Sequence, residues 1–321
     1  MKKLFTLLIA VSMLFSFSSC SNNTKVTETA MCLDTIVTIT CYGDSKTASE
    51  AAKAAISEIR RIEFLLSPYI DTSEIFNVNK NAHLSPVKVS DETFYVIKKA
   101  LEFSEKTDGA FDITVKPLTE LWNIKSETPV VPSDDMISDA LSKVDYTNVV
   151  AENNTVFFKK EGMRIDPGGA AKGYAADKAA EVVKGAGIDN AILDLGGNVY
   201  ALGKSEKNAP WKIGLQDPSG ERGKYFKAVE LSDKTCVTSG SYERYFEKDG
   251  KIYHHILNPK TGYPADTGLI SVSITGTSSF EADMLSTAVF VMGEDNFKKI
   301  KDRFQYESCI VVDKSNNWRV Y

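Results

Sequence analysis

The chain has 321 residues, 43% of them hydrophobic and 25% charged, which is the balance of a folded globular protein. That length fits one large domain or two small ones. A net charge of -5 leaves no basic footprint and argues against a nucleic-acid partner.

At the N-terminus, Lys2 and Lys3 form a basic region, Leu4 to Phe17 an apolar run, and Ser18 and Ser19 precede Cys20. This is the pattern of a secretory signal over residues 1–19. The Ser-Ser-Cys boundary resembles a bacterial lipobox, with Phe17 where Leu is usual, so Cys20 is expected to be acylated as the mature N-terminus. Residues 20–30 are then a lipidated cysteine and polar tether, and 31–321 the folded domain. The protein is expected to be exported and lipid-anchored to the cell membrane on its extracytoplasmic face. No later stretch reaches the ~18 apolar residues of a membrane span.

Four further cysteines, Cys32, Cys41, Cys236 and Cys309, show no C-x-x-C spacing, which argues against a zinc site. In an exported protein they either pair or remain as buried thiols. Thr35 to Tyr42 is β-branched and reads as a strand. Thr47 to Leu66 puts Ala51, Ala55, Ile59, Ile62 and Leu66 on one helical face. Ser90 caps a second helix that ends near Thr107-Asp108-Gly109, and Ser133 a short third. Another helix runs from after Gly169 to Lys184 and stops at Gly185-Ala-Gly187.

Short strands are expected at 191–195, 199–202, 211–216, 227–231, 235–238, 252–257 and 270–274. Helices over 279–292 and 296–304 and a closing hairpin over 308–312 and 318–321 complete the chain. Helices and strands mix without regular βαβ alternation, so the fold class is α+β in one domain.

Two segments carry most of the chemistry. Arg164-Ile-Asp166-Pro-Gly168-Gly169-Ala-Ala-Lys172-Gly173-Tyr174-Ala-Ala-Asp177 runs into the alanine-rich helix, and Ile192-Leu-Asp194-Leu-Gly196-Gly197-Asn198 follows it. In each, an apolar run ends in Asp and is followed by paired glycines. Glycine permits close backbone approach, and successive N–H groups or a helix N-terminus suit a phosphate. The plainer reading is two turns that need glycine for geometry.

Four more clusters stand out. Thr107-Asp-Gly-Ala110-Phe111-Asp112 follows a helix and reads by itself as an Asp-Gly turn with Phe111 packed below. Thr238-Ser-Gly-Ser-Tyr-Glu-Arg244 is a polar run after a strand. His254-His255-Ile-Leu-Asn258-Pro-Lys-Thr-Gly262 holds two of only three histidines. Neighbours on a strand face opposite ways, which argues against a two-His metal site and leaves one ring for a pocket. In Ala282-Asp283-Met-Leu-Ser286-Thr287, Asp283 and Thr287 share a helical face and present oxygen ligands to a hard cation. The plainer reading there is a carboxylate complementing the helix dipole.

Taken in order, these six motifs resemble the ApbE family of FAD:protein FMN transferases, from about Leu33 to the C-terminus. The resemblance implies a single ApbE-like, T-fold-related domain of mixed helices and antiparallel strands. It implies Mg²⁺-dependent cleavage of FAD, transfer of FMN to a Thr hydroxyl of a partner protein, and release of AMP. Acceptors in the family include subunits of Rnf- and Nqr-type redox pumps.

Asp283 and Thr287 correspond to metal ligands, with Ala171 or a carbonyl beside it as the third. Leu33, Tyr69, Ala110, Phe111, Asp112, Gly168, Lys172 and Tyr174 correspond to flavin-nucleotide contacts. His255 corresponds to the second His of its motif and is the candidate for proton transfer at the acceptor hydroxyl or for steadying the phosphate, with Asp283 as the other catalytic residue. The departures are Leu33-Asp34-Thr35 for the commoner Met-Gly-Thr, Pro167 for Leu, and Asn258 for Asp. The alternatives are an FAD pyrophosphatase with water as acceptor, and a non-enzymatic flavin-binding lipoprotein. An aromatic at Tyr69 favours transfer over hydrolysis.

Overall fold

The computed structural model describes residues 24–321 apart from Arg222. The leader expected over 1–19 and Cys20 lie outside the described residues. The tether expected over 20–30 is corrected within them: Thr24–Cys32 is a strand, bonded along its length to Thr35–Gly43. Half-buried Val26, Glu28 and Ala30 alternate with exposed Lys25, Thr27, Thr29 and Met31. That is the period-two pattern of a strand with one face covered, written in Thr and Val rather than in strongly apolar residues.

The main sheet has eight antiparallel strands. Their spatial order is Thr24–Cys32, Thr35–Gly43, Asn190–Leu195, Asn198–Leu202, Lys234–Gly240, Leu269–Gly276, Ser308–Asp313 and Trp318–Val320. One face carries a row of three helices, Ser45–Leu66, Ala171–Gly185 and Ser279–Met292. The third is buried nearly all round, and its sequence is mostly apolar to match. On the opposite face the hairpin Trp211–Gln216/Tyr225–Leu231 lays Trp211, Leu215 and Leu231 over Ala201, Cys236 and Ile310.

A flanking layer holds helix Asp91–Lys106 and a three-stranded sheet of Val87–Lys88, Thr155–Phe158 and Val149–Glu152. A separate cluster around Leu118, Trp122, Ile137 and Leu257 joins helices Lys116–Trp122 and Asp134–Leu141 to the ribbon Tyr245–Lys248/Lys251–His254.

The fold is α+β, as expected. Two elements are shorter than the sequence suggests. The strand expected over 252–257 ends at His254, where the ribbon's pairing stops and buried Ile256 and Leu257 turn into the core. The helix expected over 296–304 is Glu294–Ile300 followed by a 3₁₀ turn at Lys301–Arg303. All four described cysteines are free and buried, which decides between the two possibilities left open. Among the described residues no helix is long and apolar enough to cross a membrane.

Candidate active site

Both glycine segments form turns closed by their own aspartates, as the plainer reading has it. Asp166 accepts hydrogen bonds from Gly168 N–H at 3.0 Å and from the Thr119 hydroxyl at 2.9 Å. Asp194 accepts from Gly196 N–H at 3.0 Å and Gly197 N–H at 3.4 Å. Each carboxylate closes its own turn, Asp194 taking both glycine N–H groups and Asp166 that of Gly168. Gly168 thus binds Asp166 in this structure rather than offering a free nest. Asp177, at the end of the first segment, accepts from Ser278 Oγ, Ser279 N–H and Phe280 N–H and so caps helix Ser279–Met292. Burial pushes this carboxyl up to about 6.

Gly173 is the close-approach glycine. A Cβ there would lie 2.7 Å from the Ser279 carbonyl carbon and 2.8 Å from Asp283 Cβ, and closer still to the Ser279 carbonyl oxygen. With no side chain between them, helices Ala171–Gly185 and Ser279–Met292 touch, and Gly173 N–H reaches Asp283 Oδ2 at 2.8 Å. This N–H is one of the donors a helix leaves unpaired in its first turn. The buried Asp283 carboxylate therefore sits at a helix N-terminus, where negative charge is favoured. Its other oxygen lies 3.8 Å from Lys172 Nζ.

Around Asp283 the motifs converge. A Cβ on Gly169 would lie 3.2 Å from Phe111 and 3.4 Å from Thr287 Oγ1, so Gly169 fits between those two side chains. Thr287 Oγ1 is also 3.4 Å from Ser239 Oγ, which brings the Thr-Ser-Gly run to the same helix. Ala171, buried, opens the first turn of the helix below. A hard dication beside Asp283 would find its carboxylate and, one helical turn on, the Thr287 hydroxyl. This all-oxygen set fits Mg²⁺, which commonly takes one carboxylate and fills its remaining positions with water and phosphate. Among the described residues no group of three or more His, Cys, Asp or Glu is arranged to hold a metal.

Two residues expected as flavin contacts are engaged within the fold. Asp112 is buried and accepts from Thr114 N–H at 2.8 Å, Thr114 Oγ1 at 2.6 Å and Tyr146 N–H at 3.2 Å. Its carboxylate holds the 112–114 turn, and burial pushes its pKa up. Tyr174 points its hydroxyl at Glu92, 2.9 Å away, and packs on Phe280 at 5.3 Å between helices. Its ring is part of the core. Ala110 and Phe111 are buried; Phe111 packs edge-on against Phe103 and borders Gly169.

The two histidines take different partners, His254 closing the strand and His255 lying just beyond it. His254 is buried, with Nε2 3.0 Å from the Ala265 carbonyl, Nδ1 accepting from Ile256 N–H, and its ring edge-on to Phe290. Its role is structural. His255 Nδ1 lies 3.2 Å from the Arg244 carbonyl, which also accepts the His255 backbone N–H at 3.1 Å. A carbonyl only accepts, so Nδ1 carries the proton and Nε2 is left with its lone pair. Desolvation, and then the Arg244 cation, push His255 down to about 3, which keeps the ring neutral at pH 7.

Several residues here carried no motif signal of their own. Lys116 is buried, and its ammonium sits 3.7 Å above the Tyr69 ring. Tyr69 is exposed over most of its ring, while desolvation of its hydroxyl and the carboxylates of Asp166 and Glu120 push it up to about 12. Both residues line a cleft of about 510 Å³ with Asn79, Thr119, Asn123 and Arg164.

Leu33 and Asp34, with φ of 50° and 61°, make the two-residue turn between the first two strands. Leu33 N–H donates to Glu63 at 2.9 Å. Asp34 pairs with Lys125 and with Arg244. The only signal for this basic rim was the Arg at the end of the Ser-Tyr-Glu-Arg run.

The chain resembles known proteins over most of its length. The ApbE family model matches residues 33–310. The FAD:protein FMN transferase of Treponema pallidum is 35% identical over 307 residues, covering 89% of this chain and 84% of that protein. The crystal structure of the ApbE protein of Thermotoga maritima superposes with a TM-score of 0.85 at 35% identity, over 92% of this chain and 96% of the other. The flavin transferase ApbE of Vibrio cholerae does so with a TM-score of 0.82 at 27% identity, over 93% and 96%.

Proposed function

This chain belongs to the ApbE family, and from that premise we propose that it cleaves FAD with Mg²⁺, esterifies FMN to a Thr hydroxyl of a partner protein and releases AMP. It is a flavin transferase with a single α+β domain. The observation that carries the finer reading is the buried Asp283 carboxylate, held by the N-terminus of the neighbouring helix, with Thr287 one turn away and Gly169 between Thr287 and Phe111.

Asp283, Thr287 and a backbone oxygen near Ala171 would hold the magnesium ion, whose charge offsets that of the pyrophosphate. Lys172 extends a second cation to the same region. Ala110, Phe111 and the Gly168–Gly169 turn would form the wall against which the flavin nucleotide lies, and Leu33 and Tyr69 its outer edge.

In the transfer, the acceptor Thr oxygen bonds to the FMN phosphorus as the bridging oxygen leaves with AMP. His255, neutral and with Nε2 unprotonated, would take the hydroxyl proton. The remaining contributions are alignment and exclusion of water.

We further propose export and anchoring through an acylated Cys20, on the basic n-region, apolar run and Ser-Ser-Cys boundary. The acceptor would be a membrane redox-pump subunit of Rnf or Nqr type. The test mixes protein, FAD, Mg²⁺ and such a subunit and follows fluorescent covalent flavin on a denaturing gel. Labelling that requires Mg²⁺ and the target Thr supports the reading. Free FMN and AMP without labelling would make the chain an FAD pyrophosphatase, and tight FAD binding without turnover a binding protein.

A further inference from the structure

We propose that Asp34 is a positioning residue for His255, acting through Arg244; the proposal rests on the transferase reading above. Asp34 and Leu33 both stand in the left-handed region, at φ 61° and 50°. Two-residue turns of this kind favour Asn-Gly, and glycine would sit there without steric cost. The chain instead spends the position on a carboxylate, which reaches away from its own hairpin. It pairs with Lys125 Nζ and lies 3.6 Å from Arg244 Nη2. The Asp34 carbonyl accepts from the same Arg244 nitrogen at 2.9 Å. One residue therefore grips the guanidinium twice and ties together three segments that are distant in sequence.

Arg244 is what orients the histidine. Its carbonyl accepts both the backbone N–H of His255, at 3.1 Å, and ring Nδ1, at 3.2 Å. Arg244 stands at the head of the ribbon Tyr245–Lys248/Lys251–His254, which is separate from the main sheet. Phe246 and Tyr253 pack one face of that ribbon on Trp122, while Tyr245, Glu247, Lys248, Lys251 and Ile252 are exposed, so core packing restrains the ribbon on one face only. The clasp from the 33–34 turn anchors the Arg244 end. It thereby holds the carbonyl that sets both the ring plane of His255 and the tautomer that leaves Nε2 free. A carboxylate that merely stabilised its own turn would bond back to its own backbone, as Asp166 and Asp194 do.

The experiment uses the full chain with FAD, Mg²⁺ and an Rnf- or Nqr-type subunit bearing the target Thr. It compares Asp34→Asn and Asp34→Gly in wild-type and His255→Ala backgrounds. Both substitutions accept a positive φ, so thermal midpoints should stay within about 2 °C of the parent. In the wild-type background kcat should fall about tenfold with KM for FAD unchanged, the mark of lost alignment rather than lost binding. In the His255→Ala background the same substitutions should cost less than about twofold, because the residue they orient is gone. Unchanged kcat in both variants would overturn the proposal, and so would an equal tenfold loss without His255. A wild-type chain that labels no acceptor would overturn the transferase reading first, and the proposal with it.

Discussion

Replacing Gly173 with Ala tests the contact on which the site is built. The added Cβ would meet the Ser279 carbonyl and Asp283 Cβ at 2.8 Å or less, and neither is the end of a flexible side chain. Helices Ala171–Gly185 and Ser279–Met292 must separate by something near an ångström to reach ordinary contact. Overpacking of this kind costs about 1–3 kcal/mol. Separation also breaks the 2.8 Å bond from Gly173 N–H to the buried Asp283 carboxylate, and losing a hydrogen bond to a charged group adds about 1.5–3 kcal/mol. The better helix propensity of Ala returns about 1 kcal/mol.

The net loss is roughly 2–5 kcal/mol, or about 4–10 °C in thermal midpoint for a domain of this length. Calorimetry on Gly173→Ala and Gly185→Ala gives the comparison. Gly185 ends the same helix with nothing within 4 Å of its notional Cβ. Its substitution should leave the midpoint unchanged or raise it by up to about 2 °C. A Gly173→Ala midpoint within 1 °C of wild type, or an equal loss at Gly185, would refute the close-approach argument.

Asp283→Asn keeps an oxygen for Gly173 N–H but no charge. FMN transfer should fall by at least about 100-fold while the midpoint drops less than in Gly173→Ala, as read by gel fluorescence and calorimetry. His255 is held neutral by a pKa pushed from 6.5 down to about 3. Its contribution to stability is therefore present above pH 6.5 and is lost as pH falls from 6.5 toward 3. The midpoint difference between wild type and His255→Gln should accordingly shift against wild type between pH 7 and pH 5, and thermal scans across that range check it. The four buried thiols, with Cys41 pushed up to about 11 and Cys236 and Cys309 to about 12 by burial, should resist iodoacetamide until denaturant is added. Mass spectrometry counts the adducts, and labelling of any of them in the native protein would contradict their packing.

Local chemistry made much of the molecule legible. Asp91–Lys106 and Asp134–Leu141 start where Ser90 and Ser133 announce caps, and the mostly apolar helix Ser279–Met292 is buried nearly all round. The six motifs and the Asp283/Thr287 spacing are properties of the chain read in one dimension, since an i,i+4 pair shares a helical face whatever surrounds it. What the motif aspartates do is not a one-dimensional property. Asp166 and Asp194 bond their own glycines, Asp177 caps a helix 100 residues on, and Asp283 reaches a helix 110 residues back. In sequence all four are an acid near a glycine or a serine.

The first strand was hidden for a related reason. Its threonines and half-buried Glu28 resemble a tether until Thr35–Gly43 lies beside them. The tautomer and neutral state of His255 depend on a carbonyl from residue 244 and on the desolvation of its pocket. The basic rim of Lys125 and Arg244 assembles only when the 33–34 turn and two loops meet. Propensity, caps and periodicity act over a few residues and survive in the sequence; partners, burial and charge state are set by which distant segments the fold brings together.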